Sequence, residues 1–243
     1  MYTRIVIFIL SLFDNINKRK VINFFKKNLK KEIHVFIDVG SHHAETIKLF
    51  NKNFIVKKFF GFEASPINFQ ILKKKIDNIN NPSIEIFNYA IGEKVGIFEF
   101  NQFYESSSST LVKINDSSKY LIKKNKMLNF FKNKSTPFKT FKVEVKTLKD
   151  FIENKLINNV EILKIDTEGY DFSVIKSLGD KIQNVEYIYF EHHFHDMLQK
   201  DYHLSDIHTY LKNYNFEKVF KTKMYFRKTF EYIYRNKLIL KDL

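Results

Sequence analysis

The chain has 243 residues, of which 44% are hydrophobic and 16% aromatic, so it is long enough for one α/β domain with a substantial core. Cysteine is absent, which excludes disulfides, cysteine-ligated zinc and a cysteine nucleophile. The formal charge of +14 favours an anionic partner. Only four of the 41 basic residues are arginine, however, and arginine is the side chain best suited to phosphate and base contacts. We therefore do not expect nucleic acid to be that partner.

The chain begins with a predicted helical extension, residues 1–32, ahead of a domain that spans residues 33–243. Residues 5–13 form an uncharged apolar run that is too short to span a bilayer and is followed by no cleavage signature. We expect this run to pack on the domain or on a partner chain. Peripheral membrane contact, helped by nearby lysines, is the alternative.

From about residue 33 onward, short β-branched or aromatic runs alternate with helix-period segments such as residues 65–79. This alternation predicts parallel strands joined by right-handed crossovers, and therefore a three-layer, Rossmann-like, mostly parallel sheet of seven strands. The last two strands, residues 214–222 and 230–237, are expected to form an antiparallel hairpin at the sheet edge. The other five predicted strands are residues 34–39, 58–64, 83–91, 160–166 and 185–191.

The region between residues 92 and 148 interrupts this rhythm. Residues 97–101 are expected to pair with the preceding strand as a hairpin, because glycines mark a turn between them. A lysine-rich insertion at about 104–140 follows, and then a strand at 141–148. We interpret the insertion as a mobile lid or substrate loop, although a purely solvated insertion explains its composition equally well. The serines assigned to this substrate loop are Ser107, Ser108 and Ser109.

The ends of the predicted strands locate a binding site, because ligands of open parallel sheets lie outside the carboxyl ends of the strands. The first strand ends at Asp38 and Gly40, where the glycine permits a tight turn and Ser41 is a candidate helix cap. A dinucleotide fold would carry three glycines here for the pyrophosphate. A ligand without phosphate, bearing an ammonium group close to Asp38, fits this loop better, and S-adenosylmethionine is such a ligand.

The next two strand ends fit the adenosine part of that ligand. Glu63 ends the second strand, at the depth where a carboxylate accepts hydrogen bonds from both ribose hydroxyls. A solvated acid at a strand end is the alternative for this residue. The third strand ends near Tyr89 and Ala90, where a small residue leaves room for an adenine ring.

Seven stretches of the chain together resemble one known family: FIDVGSHHAET (36–46), FGFEASPINFQILKKKI (60–76), IEIFNYAIGEKVGIFEF (84–100), SSSSTL (106–111), VEVKTLKDFI (143–152), VEILKIDTEGYDFSVIKSL (160–178) and VEYIYFEHH (185–193). Over roughly residues 33–193 the sequence resembles the FkbM family of S-adenosylmethionine-dependent methyltransferases, and the Asp-x-Glu-Gly element at 166–169 is the most specific part. The resemblance implies the class I methyltransferase fold and methyl transfer to a hydroxyl of a sugar, glycan or other small polar acceptor. The cofactor-binding residues predicted for S-adenosylmethionine are Asp38, Gly40, Ser41, His42, Glu63, Ala64, Tyr89, Ala90 and Asp166.

The Asp-x-Glu-Gly element predicts part of the catalytic machinery. Asp166 lies at the tip of a strand expected to lie beside the first, so it would face the transferable methyl group, and Glu168 would shape the same pocket. Such carboxylates can orient or deprotonate a substrate hydroxyl. The alternative is that Asp166 and Thr167 cap the following helix, with Asp171 in its first turn.

The fifth parallel strand ends in FEHHFHD, residues 190–196, and supplies candidates for a general base. His193 or His192 would take the hydroxyl proton, with Glu191 orienting the ring. A divalent metal held by Asp166, Glu191 and His193 is an alternative that we do not favour, because adjacent histidines point in different directions. A solvated loop is the third interpretation.

Two other functions stay compatible with these residues. One is an RNA ribose 2'-O-methyltransferase, to which the basic insertion would contribute, and the other is a non-catalytic nucleoside-binding protein of the same fold. The missing cysteine excludes cytosine C5 methylation. We expect a cytoplasmic location, because the cofactor is made there, and the sequence indicates neither the acceptor nor the oligomeric state.

Overall fold

The computed structural model describes residues 2–79, 81–103, 109–128, 138–225 and 227–239, with the backbone alone for 2–13 and 124–128. The helices are α1 (Tyr2–Asn28), α2 (Glu45–Asn53), α3 (Pro66–Asp77), α4 (Lys119–Leu128), α5 (Leu148–Asn154), α6 (Asp171–Lys176) and α7 (Leu204–Asn213), with a 3-10 helix at Gly179–Asn184. The strands are β1 (Glu32–Val39), β2 (Ile55–Phe62), β3 (Ile84–Phe87), β4 (Ala90–Ile91), β5 (Gly96–Phe103), β6 (Phe138–Lys146), β7 (Val160–Ile165), β8 (Val185–His193), β9 (Phe216–Lys223) and β10 (Thr229–Asn236).

Seven strands form the main sheet in the order β3-β2-β1-β7-β8-β10-β9. The first five in this order pair in parallel, whereas β10 is antiparallel to both β8 and β9. This arrangement confirms the predicted Rossmann-like class I methyltransferase fold, including its antiparallel C-terminal hairpin. The strand order reverses between β1 and β7, which is where such sheets bind their ligands.

The sheet lies between two layers of helices, as predicted. Side chains of β1 alternate between the layers: Phe36 packs in the core under α1, α2 and α3, and Ile37 packs in the core under α5, α6 and α7. All six residues of β7 are buried for the same reason, because helices cover both faces of the central strands. The main sheet therefore positions its carboxyl edge rigidly.

Helix α1 occupies most of the predicted extension and packs on the domain. Val21, Ile22 and Phe25 are buried in the core next to α2. The side chains of the apolar run 5–13 lie outside the described residues, so its packing or membrane contact stays a prediction. None of the helices in the described ranges is both long and apolar enough to cross a membrane.

A second, three-stranded sheet has the order β4-β6-β5 and corrects the prediction for residues 83–101. The strand expected at 83–91 divides into β3, in the main sheet, and β4, in the second sheet. Between them, Asn88 donates a hydrogen bond to the carbonyl of Glu63 at 2.8 Å. The hairpin predicted between β4 and β5 was wrong, because β6 lies between them, parallel to β4 and antiparallel to β5.

The lysine-rich insertion is described only in part. Residues 104–108 and 129–137 lie outside the described residues, while α4 belongs to the part that the structure describes. Leu121 of α4 is buried with Phe103, Val112, Met197 and Leu198 in a small separate core. The role of the insertion as a lid stays a prediction.

Candidate functional site

One cleft at the carboxyl edge of the main sheet, with a cavity volume of about 230 Å³, gathers most of the predicted site residues. Parallel strands end at the same edge, so residues that are distant in sequence meet there. The predicted residues that line it are Gly40, Ser41, His42, Glu63, Ala64, Tyr89, Ala90, Ser109, Asp166, Glu168 and Glu191. Asp38, His192 and His193 do not line it. Ser107 and Ser108 lie outside the described residues.

The loop after β1 brings the backbone of two strand tips together. Gly40 has φ +88°, and a Cβ atom at this position would lie 2.0 Å from the carbonyl oxygen of Asp166. Only glycine permits this approach. Ser41 does not cap α2 as predicted, because α2 begins at Glu45, after two loop residues with positive φ. The Ser41 hydroxyl instead donates to the carbonyl of Asp38 at 2.9 Å.

Lys164 is a buried cation in the lining of the cleft that the sequence interpretation missed. Its Nζ lies 3.1 Å from Asp166 Oδ2 and 3.5 Å from Asp38 Oδ1. Burial by itself lowers the pKa of Lys164, but Asp166 and Asp38 outweigh burial and hold the pKa above its ordinary value. Lys164 is therefore an ammonium ion. It pairs with Asp38 as well as with Asp166 inside the protein.

The pKa values of the two acids beside Lys164 are shifted in opposite directions. Burial raises the pKa of Asp38, which is fully buried, and Lys164 offsets only part of that effect. Burial also acts to raise the pKa of Asp166, but the charge of Lys164 and its hydrogen bond outweigh it and leave the pKa below its ordinary value. Asp166 is thus an ionised carboxylate at the cleft, whereas Asp38 lies below its floor.

Glu63 follows β2, and its carboxylate binds the backbone just before α2 and α3. Its Oε2 accepts a hydrogen bond from the backbone N–H of His42, and its Oε1 accepts one from that of Ser65, both at 2.9 Å. Burial raises the pKa of Glu63, and these two hydrogen bonds act against that shift. Each carboxylate oxygen has two lone pairs, so Glu63 can still accept hydroxyl donors from a ligand.

An aromatic and aliphatic wall extends beyond Glu63. Phe62, Tyr89 and Ile91 line this part of the cleft, and the ring centroids of Phe62 and Tyr89 lie 5.4 Å apart. Burial, and then the charge of Glu144, raises the pKa of Tyr89 to about 12, so its phenol is neutral. Lys146 Nζ lies 4.6 Å from the centroid of the Tyr89 ring. This wall suits a flat heteroaromatic ring.

The turn after β7 is held from below by Asp171. Its Oδ1 accepts hydrogen bonds from the backbone N–H of Thr167, at 3.0 Å, and from the Thr167 hydroxyl, at 2.8 Å. Because α6 begins only at Asp171, Asp166 is not part of its cap. Glu168 has φ 49° and lines the cleft, and its carbonyl accepts a hydrogen bond from the hydroxyl of Thr110 at 2.8 Å.

The two histidines of β8 point to opposite faces of the sheet. His193 lies behind the cleft, with Nε2 3.5 Å from Glu168 Oε2 and Nδ1 3.1 Å from the hydroxyl of Thr229. His192 lies on the other face near Tyr202, and burial lowers its pKa to about 3. The geometry therefore favours His193, acting through Glu168, over His192.

The metal site considered from the sequence is not assembled. Asp166, Glu191 and His193 do not bring three ligand atoms within 4.8 Å of one another. Among the residues that the structure describes, one group meets that spacing, and it lies on the loop after β1: His42, His43 and Glu45.

Residues from both ends of the chain complete the cleft, and the sequence interpretation missed them. Asp14 of α1 pairs with Arg227 at 2.9 Å, and Asn17 Nδ2 donates to the carbonyl of Lys223 at 3.0 Å, so α1 is fastened to the β9–β10 hairpin. No local sequence pattern indicates that α1, which was predicted only as an extension, contacts residues more than 200 positions further along the chain. The additional lining residues from these segments are Asp14, Asn17, Lys18, Met224, Arg227 and Glu231.

Comparisons with known proteins agree with this fold. The sequence matches the methyltransferase FkbM domain over residues 38–218, which is more than half of the chain. No curated protein sequence matches it.

Three solved structures are similar in fold. A methyltransferase FkbM from Methylobacillus flagellatus KT is 12% identical with a TM-score of 0.55, and the match covers 85% of this chain and 44% of that one. This chain therefore spans less than half of the length of that methyltransferase. TrmK of M. capricolum, in complex with S-adenosylhomocysteine, is 11% identical with a TM-score of 0.50, covering 89% and 67%. Sp1610 of Streptococcus pneumoniae, a candidate tRNA (m1A22) methyltransferase in complex with S-adenosylmethionine, is 13% identical with a TM-score of 0.50, covering 90% and 72%.

Proposed function

The chain belongs to the FkbM family of S-adenosylmethionine-dependent methyltransferases, and from that premise we propose that it methylates a hydroxyl group of a sugar, glycan or other small polar acceptor. The observation that carries this proposal is the cleft itself, in which carboxylates at the carboxyl ends of β2, β7 and β8, namely Glu63, Asp166 and Glu191, line one cavity beside an apolar wall. We also propose a cytoplasmic location, where the methyl donor is made.

Different residues of the cleft suit the adenosine part and the methionine part of S-adenosylmethionine. Glu63 would accept hydrogen bonds from the ribose hydroxyls, and the wall that contains Tyr89 would pack against the adenine. The ionised Asp166, next to Gly40, would stabilise the positively charged methionine end, because an opposite charge offsets the cost of burying both groups. When bound, the donor supplies an electrophilic methyl group on a sulfonium centre.

The chain would bind and deprotonate the acceptor with residues at the tips of β7 and β8. Asp166 is a weak base because Lys164 holds its pKa down, so we assign it the orientation of the acceptor hydroxyl rather than its deprotonation. Glu168 would receive the hydroxyl proton as the new oxygen–carbon bond forms and the carbon–sulfur bond breaks. His193, 3.5 Å behind Glu168, would position that carboxylate. Much of the rate would come from the alignment of the two reactants.

RNA methylation is the rival activity that the comparisons make worth testing. The likeness to a candidate tRNA methyltransferase is at 13% identity and shows the fold alone. The basic charge of the whole chain favours an anionic partner in general. A basic surface that is poor in arginine is better suited to non-specific attraction than to bidentate phosphate contacts.

The decisive experiment offers the full chain S-adenosylmethionine with a labelled methyl group, together with either a panel of sugars and glycans or total RNA. We expect label in the sugar fraction, in an ether bond that resists alkali. Exclusive labelling of RNA would replace the proposal with its rival. Absence of cofactor binding in calorimetry by the folded protein would favour a non-catalytic protein of this fold.

A further inference from the structure

Glu191 and Glu231 form an acidic pair in the cleft, close to α1. They lie directly opposite each other on the antiparallel strands β8 and β10. The alternation of the strands puts both on the same face as Lys164, and both line the cleft. Like charges directly opposite each other on neighbouring strands repel, so the pair needs a compensating group.

The hydrogen bonds around the pair leave oxygen atoms unused. The Tyr189 hydroxyl donates to Glu231 Oε1 at 2.5 Å. Glu231 Oε2 is buried and accepts no hydrogen bond from the described part of the chain, although the residue is only 4% exposed. Glu191 is half-buried, and its side chain has neither a hydrogen bond nor an ion pair with a described residue. A buried carboxylate without such partners is costly, which points to a ligand.

The cations nearby are engaged elsewhere or make no ion pair with the two glutamates, although the charges of Lys164 and Lys18 act to lower the pKa of Glu231. Lys164 pairs with Asp166 and Asp38, and Arg227 pairs with Asp14. Lys18 of α1 lines the cleft but makes no ion pair with either glutamate among the described residues. Burial, and then neighbouring carboxylates, raises the pKa of Glu191, and burial also raises the pKa of Glu231. The pair therefore favours holding a proton, which a bound cation would replace.

The spacing of the carboxylates argues against a metal ion as the missing cation. Asp166, Glu191 and Glu231 do not form a group with ligand atoms within 4.8 Å of one another. A hard divalent ion needs oxygens at about 2.0–2.6 Å from one centre. An ammonium group accepts longer contacts of about 2.7–2.9 Å in independent directions.

We propose that the methyl acceptor carries a protonated primary amine, as an amino sugar does, and that Glu191 and Glu231 bind this ammonium group. The inference rests on the proposed function, since it assigns the acceptor to the same cleft. Because β7 is the neighbour of β8, an acceptor held by this pair lies next to Asp166 and Glu168, which handle its hydroxyl. The pair thus selects the acceptor, while the tip of β7 acts on it.

The test measures binding of matched amine and neutral probes to the full chain saturated with S-adenosylhomocysteine. The probes are glucosamine against N-acetylglucosamine, galactosamine against N-acetylgalactosamine, and ethanolamine against ethylene glycol, by calorimetry at pH 7. We expect the amine of at least one pair to bind about tenfold more tightly, since charge-assisted hydrogen bonds are about twice as strong as neutral ones. Glu231→Gln should reduce this preference to less than about threefold.

A second variant and a control keep the result interpretable. Glu191→Gln should weaken the same preference, and it carries the test if Glu231→Gln does not fold. Glu186→Gln removes another buried acid of β8 that does not line the cleft, and it should keep the preference of the wild type. Equal binding of amine and neutral probes in every pair, with normal S-adenosylhomocysteine affinity, would overturn this inference alone. If the wild type does not bind S-adenosylhomocysteine at all, the proposed function is overturned, and the inference with it.

Discussion

Replacing Lys164 with methionine tests the electrostatic arrangement beneath the cleft. Methionine preserves much of the length and volume of the side chain but removes its charge. At an effective dielectric constant of about 20, each contact of Lys164, at 3.1 and 3.5 Å, contributes roughly 5 kcal/mol of attraction before the cost of desolvating the ions. Removing one partner of a buried pair typically costs about 3–5 kcal/mol, so we expect the free energy of unfolding to fall by that amount.

The cost of Lys164→Met should depend on pH in a direction that follows from Asp166. In the wild type, the pKa of Asp166 is below its ordinary value of 3.8, so its contribution to stability is present above that value and is lost as the pH falls through the folded-state pKa. Without Lys164, burial raises the pKa of Asp166 and Asp38 in the folded state. Ionising these acids in the folded state then costs free energy that grows as the pH rises above their unfolded-state pKa, so the deficit should be larger at pH 8 than at pH 5.

Urea unfolding followed by circular dichroism at pH 5 and pH 8 measures both effects. Lys155→Met is the control, because Lys155 pairs with Glu85 at 2.5 Å while their side chains are 36% and 49% exposed. Such a surface pair contributes about 0–1 kcal/mol. A cost for Lys164→Met no larger than that of the control, or a cost equal at both pH values, would refute the reasoning.

Three further substitutions test the strand tips. Gly40→Ala should lower the free energy of unfolding more than twice as much as Gly179→Ala. Both glycines have positive φ, but the new Cβ would lie 2.0 Å from a backbone oxygen at Gly40 and 3.3 Å from a flexible lysine carbon at Gly179. Equal melting temperatures of the two variants would contradict this. Glu63→Ala should weaken S-adenosylmethionine binding at least about tenfold in calorimetry, the loss expected for a charge-assisted hydrogen bond, and a dissociation constant equal to that of the wild type would remove Glu63 from the site. Asp166→Asn should lower kcat on the acceptor identified by labelling about tenfold or more while changing cofactor affinity less, and full activity would reject the role proposed for Asp166.

The sequence alone was sufficient for the class of the main sheet, with its parallel strands and C-terminal hairpin, and for most of the residues at its carboxyl edge. The alternation of apolar runs with helix-period segments is a local signal, and strands joined by such helices pair in parallel with one handedness. Once β1, β2 and β7 are parallel neighbours, their ends must meet. Gly40, Glu63 and Asp166 could therefore be placed at one cleft from their positions after the apolar runs.

Only the tertiary structure decided what covers those strand tips and which charges lie beneath them. The β4-β6-β5 sheet pairs segments about 50 residues apart, and α1 reaches the β9–β10 hairpin across more than 200 residues, so no local pattern indicates either contact. Lys164 reads in sequence as one more lysine, and Glu231 as an ordinary strand residue. Their importance comes from burial and from distances to groups far along the chain, because the energy of a charge depends on the solvent and the partners that surround it.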